Sequence, residues 1–302
     1  MKQHTLKKSY SFNGKGLHTG EPAGMTLLPA PDGYGIRFKR KDIGDGAVVR
    51  ALAQNVCDVS FNTTLEENGV KVMLTEHVLS ALAGLGVDNA LIEIDNMEVP
   101  VLDGSAAPYV EAISADGLQE QQCERVFFEV REPFLYEDDR SDAWVKVEPC
   151  DRFEAQLTID FNSPVVGVQT CSFDATTDYR TQIAPCRTFC FFSQLEQLAA
   201  AGLIKGGDMD NAIVIVDREA DEEAVRRIAG IFGSPDIEVR QGYLSNVDLH
   251  FENECARHKM LDLIGDFSLL GAPLKARITA MKTGHRVNTT VARLLCERMK
   301  NN

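Results

Sequence analysis

Arg257-His258-Lys259-Met260-Leu261-Asp262 sets an imidazole and a carboxylate four positions apart, with a lysine between them. In a helix, side chains at i and i+4 stack on one face about one turn apart. His258 and Asp262 can therefore reach one metal ion from the same side. The flanks agree with a helix. Glu252, Asn253 and Glu254 suit a first turn, and Leu261, Ile264, Leu269 and Leu270 follow near helical spacing. The same spacing also arises by accident, on an amphipathic helix whose His and Asp are half-exposed surface groups. The rest of the chain decides, because a pair on one helix needs a further ligand from elsewhere.

The 302 residues are 44% hydrophobic and 25% charged, enough for one large or two ordinary domains with full cores. A net charge of −14 argues against a nucleic-acid binder, which needs a basic face. It leaves room for a phosphorylated ligand held by a few Lys and Arg. The first residues lack the apolar centre of a signal peptide, and the longest aliphatic run, Ala212 to Val216, is far too short to span a bilayer. The eight cysteines are dispersed, with no CxxC pair, so the expectation is buried free thiols in a reducing cytoplasm. Cys186 and Cys190 have no second pair of structural-zinc spacing and read as packing residues.

In chain order, strands are expected at residues 5–12, Met25 to Leu28, Gly35 to Phe38, Val48 to Val56 and Val70 to Leu74. Asn13-Gly14-Lys15-Gly16-Leu17-His18-Thr19-Gly20 is a glycine-rich turn carrying an imidazole; His18 reads as structural, or as lining a site. Thr75 is a candidate N-cap for a helix through Val78, Leu79, Leu82 and Leu85, ended at Gly84 or Gly86. Glu76 and His77 then sit in a first turn, able to point off the helix end. Ala90 to Ile94 is a buried strand, and Tyr109 to Ala115 a helix. The polar stretch Asp116 to Glu124 is the linker candidate, placing a domain boundary near residue 122.

Further strands are expected at Val126 to Val130, Ala143 to Val147, Phe153 to Ile159, Val166 to Phe173, Ala212 to Val216 and Lys275 to Met281. Arg187 and Thr188 interrupt an apolar, aromatic run, as a strand's polar face or as a cation and hydroxyl carried to a site. Helices are expected at Ser193 to Ala201, Arg218 to Gly230 and Val287 to Lys300. Strands and helices mix without strict alternation, which favours α+β: two layered domains, 1–122 and 123–302.

Three of the six histidines have chemical neighbours: His77 after Glu76, His258 before Lys259 and Asp262, and His285 after Thr283-Gly284. Two imidazoles and a carboxylate are a ligand set used by catalytic zinc, with a position left open, although other divalent metals accept it. A base beside a ligand (Glu76) and an uncommitted imidazole (His285) would supply the proton transfers of hydrolysis.

These motifs, in order, resemble the UDP-3-O-acyl-N-acetylglucosamine deacetylase family of lipid A biosynthesis. The resemblance is carried by Gly14-Lys15-Gly16-Leu17-His18-Thr19-Gly20, Thr75-Glu76-His77 with 81–89, and Leu102-Asp103-Gly104-Ser105-Ala106-Ala107-Pro108. It continues in Arg187-Thr188-Phe189, Gly206-Gly207 with Asp210-Asn211-Ala212, His258 to Asp262, and Thr283-Gly284-His285. It implies Zn2+ held by His77, His258 and Asp262, Glu76 as general base, and His285, oriented by Asp266, as the protonated partner. Thr188 would donate to the oxyanion. Lys259 and Lys282 would face a diphosphate, and Phe161 would stack on uracil. The implied fold is two sheet-plus-helix domains facing each other across the zinc site. A βαβ-type insert in the second would form an acyl passage lined by Phe189, Leu195, Leu203 and Ile204. The implied substrate is a UDP-linked acylated glucosamine.

The chain departs from the family pattern at Val72-Met73-Leu74, at Cys190 where glycine is usual, and at Ala143 where some relatives carry a lysine. Some relatives also carry a fused dehydratase domain beyond this point, so a trimmed fusion is an expectation. Two other readings stay open: a metal-dependent amidase acting on another substrate, and a non-catalytic nucleotide-sugar binding module.

Overall fold

The computed structural model describes residues 1–195, 205–207, 211–217, 226, 238–245 and 248–300. The fold is α+β. In the first half one sheet runs in the order Tyr10–Lys15, Pro22–Pro29, Ala90–Ile94, Ile36–Arg40, Val48–Arg50. Alternation sets its register: Met25 pairs with Ile94 and Leu27 with Ile92, all four buried. A slip of one residue would turn every one of them to solvent, at about 1.5–3 kcal/mol for each large side chain.

The second half repeats the logic. Its main sheet runs Phe134–Glu137, Trp144–Pro149, Leu274–Met281, Phe153–Asp160, Val168–Phe173, with Phe128–Glu129 parallel to Leu274–Met281. Val147, Ile278 and Ala155 lie side by side across three strands, as do Val145, Ala280 and Leu157. These buried rows back the Glu254–Ser268 helix, which also crosses Val168–Phe173. Phe189–Phe191 pairs parallel with Ile213–Ile215, and a parallel pair needs a crossover connection, as a βαβ-type insert provides. The expected helices at Ser193 to Ala201 and Arg218 to Gly230 lie mostly outside the described residues.

The Glu76–Leu85 and Glu254–Ser268 helices pack against each other at the centre. They meet most closely at Gly265, where an added Cβ would stand 2.3 Å from the Glu76 carbonyl oxygen. Only glycine lets the two backbones approach there. One apolar cluster runs from Leu27 and Ile92 through Leu79 and Leu263 to Leu157 and Ile278.

Several elements differ from expectation. Asp116 to Glu124 is not a linker along its length: Leu118–Glu124 is a strand pairing antiparallel with Lys2–Leu6. Its side chains are mostly exposed, so the backbone ladder and the Lys2–Glu124 ion pair replace the missing apolar pattern. The strand expected at 5–12 breaks in two, Lys2–Leu6 and Tyr10–Lys15. That at Val48 to Val56 is interrupted by a 3-10 turn, Ala53–Asn55. Thr64–Glu67 and Phe134–Glu137 are additional strands. The thiols are all free, but Cys57 and Cys123 are exposed, and only Cys171, Cys186 and Cys255 are fully buried.

Candidate metal centre

Two helices present the ligand set. His77 comes from the first turn of Glu76–Leu85, and His258 and Asp262 from one face of Glu254–Ser268. All three are buried, and their ligand atoms lie within 4.8 Å of one another. His77 Nε2 and His258 Nε2 point at the same carboxylate oxygen, Asp262 Oδ1, at 3.8 and 3.4 Å.

The protonation pattern tests whether a cation fits. His258 Nδ1 donates to the Cys186 carbonyl at 3.0 Å, which leaves its Nε2 as a bare lone pair. Burial pushes the His258 imidazole down, against the pull of Asp262. Burial and the neighbouring His258 push His77 down to about 3. The Asp262 carboxyl lies well below the usual range, because Lys259 and the imidazoles outweigh the cost of burial. Two neutral imidazole lone pairs and an anionic oxygen thus converge, and Asp262 Oδ1 has no hydrogen-bond partner although buried. Buried acceptors facing each other without a donor are costly. A divalent cation satisfies all three, and His258 has the outer hydrogen bond that fixes a ligating imidazole.

A carboxylate and a third imidazole flank this set. His285, first residue of the His285–Lys300 helix, holds its Nε2 3.8 Å from Glu76 Oε1 and 3.8 Å from Asp262 Oδ2. Its Nδ1 donates to Asp266 Oδ2 at 3.0 Å. Burial lowers the His285 imidazole, but Asp266, Asp262 and Glu76 outweigh it and hold it up to about 9. Burial raises the Glu76 carboxyl to about 7, against the attraction of His285.

Sequence reasoning missed the residues behind this pair. Thr63 donates its N–H to Glu76 Oε2 at 2.9 Å and its hydroxyl to Asp266 Oδ1 at 2.6 Å. Asn288 Nδ2 donates to Asp266 Oδ2 at 2.9 Å. Thr75 is not a side-chain N-cap: its hydroxyl donates to the Thr63 carbonyl at 2.8 Å and anchors the Thr63 segment instead.

The other candidates spread around the centre. Thr188 is seated by its N–H on the Gly104 carbonyl at 2.8 Å. Gly104, at φ +79°, runs so close to Asn211 that a Cβ would lie 1.9 Å from the Asn211 carbonyl oxygen. Among the described residues no hydrogen bond engages the Thr188 hydroxyl. Arg187 is not a cation offered to a ligand: it is buried against Glu254, Nε to Oε1 at 3.0 Å. Lys259 donates to Asp262 Oδ2 at 2.8 Å and lies over the Phe189 ring. Lys282 pairs with Asp160 at 3.0 Å. Phe161, partly exposed, packs edge-on against Phe189 and Phe191, and Phe189 in turn borders His258. Leu195 is core, and Leu203 and Ile204 lie outside the described residues.

His18 is buried with both ring nitrogens unpartnered. Its loop is held by Glu98, which accepts from the His18 and Thr19 N–H groups, each at 2.9 Å, and Gly206 donates to the Leu17 carbonyl.

An α+β fold with two buried imidazoles, a carboxylate and an adjoining carboxyl–imidazole pair is the arrangement of a metal-dependent hydrolase. Comparison with known proteins narrows the class. The model of the family "LpxC: UDP-3-O-acyl N-acetylglycosamine deacetylase" matches residues 3–229 and 237–297, and the chain belongs to that family. It is 40% identical over 303 residues to the UDP-3-O-acyl-N-acetylglucosamine deacetylase of Methylococcus capsulatus, covering 99% of this chain and 90% of that protein. It is 39% identical to the protein of the same name from Acidithiobacillus ferrooxidans, over 98% and 90%. The "Bifunctional enzyme LpxC/FabZ" of Bacteroides thetaiotaomicron is 40% identical over 97% of this chain. The chain spans 64% of that relative's length. Among the described residues no helix is long and apolar enough to cross a membrane.

Proposed function

We propose that this chain hydrolyses the N-acetyl amide of a UDP-linked 3-O-acylated glucosamine, releasing acetate and leaving a free amine, as the committed step of lipid A biosynthesis. The observation that carries the reading is the placement of Glu76 and His285 on one flank of the His77, His258 and Asp262 set, Nε2 to Oε1 at 3.8 Å. His77, His258 and Asp262 would hold Zn2+. When bound, the ion polarises the amide carbonyl and eases formation of a nucleophile from water.

The chain's own groups complete the reaction. Glu76 takes the proton of the attacking water as its oxygen bonds to the carbonyl carbon. The Thr188 hydroxyl donates to the oxyanion that develops, an interaction typically worth about 2.7–4 kcal/mol. His285, cationic and braced by Asp266, stabilises that charge and gives its Nε2 proton to the amine as the C–N bond breaks. Lys259 and Lys282 are assigned to the diphosphate, each exchanging its carboxylate partner for phosphate oxygens. Phe161 offers an accessible ring for uracil, and His18 lines the site. Phe189 and Leu195, with Leu203 and Ile204, are assigned to the acyl passage.

We assign these roles to two layered units, 1–122 and 123–302, that share the centre. A reducing cytoplasm is the proposed location, supported by eight free thiols. Alignment with relatives named bifunctional supports a fused dehydratase domain as a further proposal for the native chain.

The test is metal analysis together with acetate release from the UDP-sugar, with and without its 3-O-acyl chain. We expect about one zinc per chain and turnover that depends on the acyl group. His258→Ala is expected to lose metal and turnover together. Normal metal content in that variant would remove the ligand assignment, and equal turnover of the deacylated substrate would remove the acyl passage.

A further inference from the structure

A second cavity, of about 530 Å³, lies behind the metal centre. It falls within the size range of small-molecule sites, roughly 300–1,000 Å³. Leu79 and Leu82 line it from the helix that carries His77, and Ile264 and Phe267 from the helix that carries His258 and Asp262. Residues two apart on a helix face nearly opposite directions, so Leu79 against His77 and Ile264 against Asp262 put the cavity on the reverse face of the same two helices. Phe153 and Phe173 close the apolar wall.

The mouth is polar and has one cation to spare. Arg50 is engaged by Glu67, and Arg125 by Asp88 at 2.8 Å. Arg37 is different. Its guanidinium lies 4.1 Å over the Tyr34 ring and donates Nε to the Tyr34 carbonyl. Among the described residues neither of its terminal nitrogens has a hydrogen-bond partner. Stacking fixes the plane of the group and leaves its outer fork free for a carboxylate or phosphate.

We propose that this cavity is a second ligand site, distinct from the catalytic centre, for a single-chain amphipathic anion. The alkyl chain lies against Leu82, Ile264 and Phe267, and the anionic head meets Arg37. The proposal does not depend on the reaction assigned to the metal centre.

The probe is decanoate, titrated calorimetrically into the metal-loaded protein, with 1-decanol as the uncharged control. Ala83, exposed on the rim, is replaced by tryptophan to overhang the mouth, and Arg37 by glutamine to remove the charge. Neither residue belongs to the catalytic machinery, and thermal melts report folding. Arg37→Gln is expected to weaken decanoate binding about tenfold, the worth of one charge-assisted hydrogen bond, and Ala83→Trp to weaken it by obstructing the mouth. Decanol is expected to bind the parent no better than decanoate binds Arg37→Gln. Unchanged decanoate affinity in both variants would put the probe in the catalytic site and overturn the proposal, as would the absence of saturable binding. Weakening by Ala83→Trp alone would overturn the anionic head.

Discussion

Thr63 and Asp266 are 203 residues apart in sequence, yet the Thr63 hydroxyl donates to the Asp266 carboxylate at 2.6 Å. The same residue's N–H holds Glu76 at 2.9 Å. One threonine therefore sets the spacing between Glu76, the proposed base, and Asp266, which accepts from His285, the proposed acid. Its oxygen also stands 3.2 Å from His285 Nδ1. Thr63→Val keeps the β-branched shape but removes the hydroxyl, leaving Asp266 Oδ1 without its donor while His285 and Asn288 still hold Oδ2. The expected result is a kcat loss of about 10- to 100-fold, the usual effect of removing an outer partner of a site, with KM and metal content nearly unchanged. Thr63→Ser should recover most of the rate. A fall in metal content matching the fall in rate would mean that Thr63 supports the ligands instead.

The helix that began as a two-residue motif carries a longer stripe. Glu254, His258, Asp262 and Asp266 recur every four positions, and all four are buried. Each has a partner from elsewhere in the chain or from its own turn: Arg187, the Cys186 carbonyl, Lys259 and Thr63. Glu254 entered only as a first-turn residue and Asp266 only through the resemblance, whereas the His258 and Asp262 pair was legible, because a helical spacing of polar residues needs only the letters. So was the buried strand Ala90–Ile94, from its apolar run. Thr63, Asn288 and the Glu98 clasp on the glycine loop were not, since their contacts close over long stretches of chain and ordinary Thr, Asn and Glu carry no local signal. Of the two readings open for Arg187, a strand's polar face or a cation carried to a site, the letters could not choose, because nothing in its neighbourhood shows the distant Glu254. The linker expected at Asp116 to Glu124 is largely the strand Leu118–Glu124, because a strand held by backbone pairing in a two-stranded sheet has no apolar alternation to display.

The pH dependence follows from Glu76 and His285. Glu76, raised to about 7 by burial, is competent as a base only when deprotonated, so the rate rises as pH climbs through its titration. His285, held up to about 9 by its carboxylate neighbours, is competent only when protonated, so the rate falls above its titration. A bound cation adds positive charge near both and moves both limbs to lower pH. The expected profile of kcat/KM is a bell whose apparent pKa values belong to the coupled pair. In Glu76→Gln the residual activity should lose the acidic limb while zinc is retained. An intact acidic limb would take the base role away from Glu76.

Arg286 anchors the helix that begins at His285. Its guanidinium makes a bidentate pair with Asp138, at 2.6 and 2.7 Å, and the Asp138 carboxyl is held well below the usual range by Arg286 and Ser141. A depressed carboxylate contributes stability that is present above its unfolded pKa, near 4, and is lost as pH falls toward the folded value. Asp138→Asn should therefore lower the melting temperature at pH 7 and flatten its decline on acidification below about pH 4. Because the pair fixes the first turn of the helix, the variant should also lose turnover through a displaced His285. Identical acid limbs in the melting curves of parent and variant would show that the pair contributes nothing to acid sensitivity.

Gly265 tests how closely the helices that carry His77 and His258 must approach. A Cβ at this position would lie 2.3 Å from the Glu76 carbonyl oxygen and 3.3 Å from its Cα. The obstructing atoms are backbone, so no side chain can swing aside; the helices must separate. Overpacking of this kind costs about 1–3 kcal/mol. Separation also moves Glu76 and His77 away from Asp262 and His285, and the 3.8 Å distances that join these groups lengthen together. Gly265→Ala should thus lower the melting temperature, weaken metal retention against a chelator and reduce kcat, although the substitution adds a single methyl group and touches no reacting atom. Gly265→Ala restoring neither stability nor activity when metal is in excess would agree with displacement of the base as well as the ligand. Full recovery of kcat under those conditions would confine the effect to metal affinity, and unchanged stability would mean that the helices yield freely at this contact.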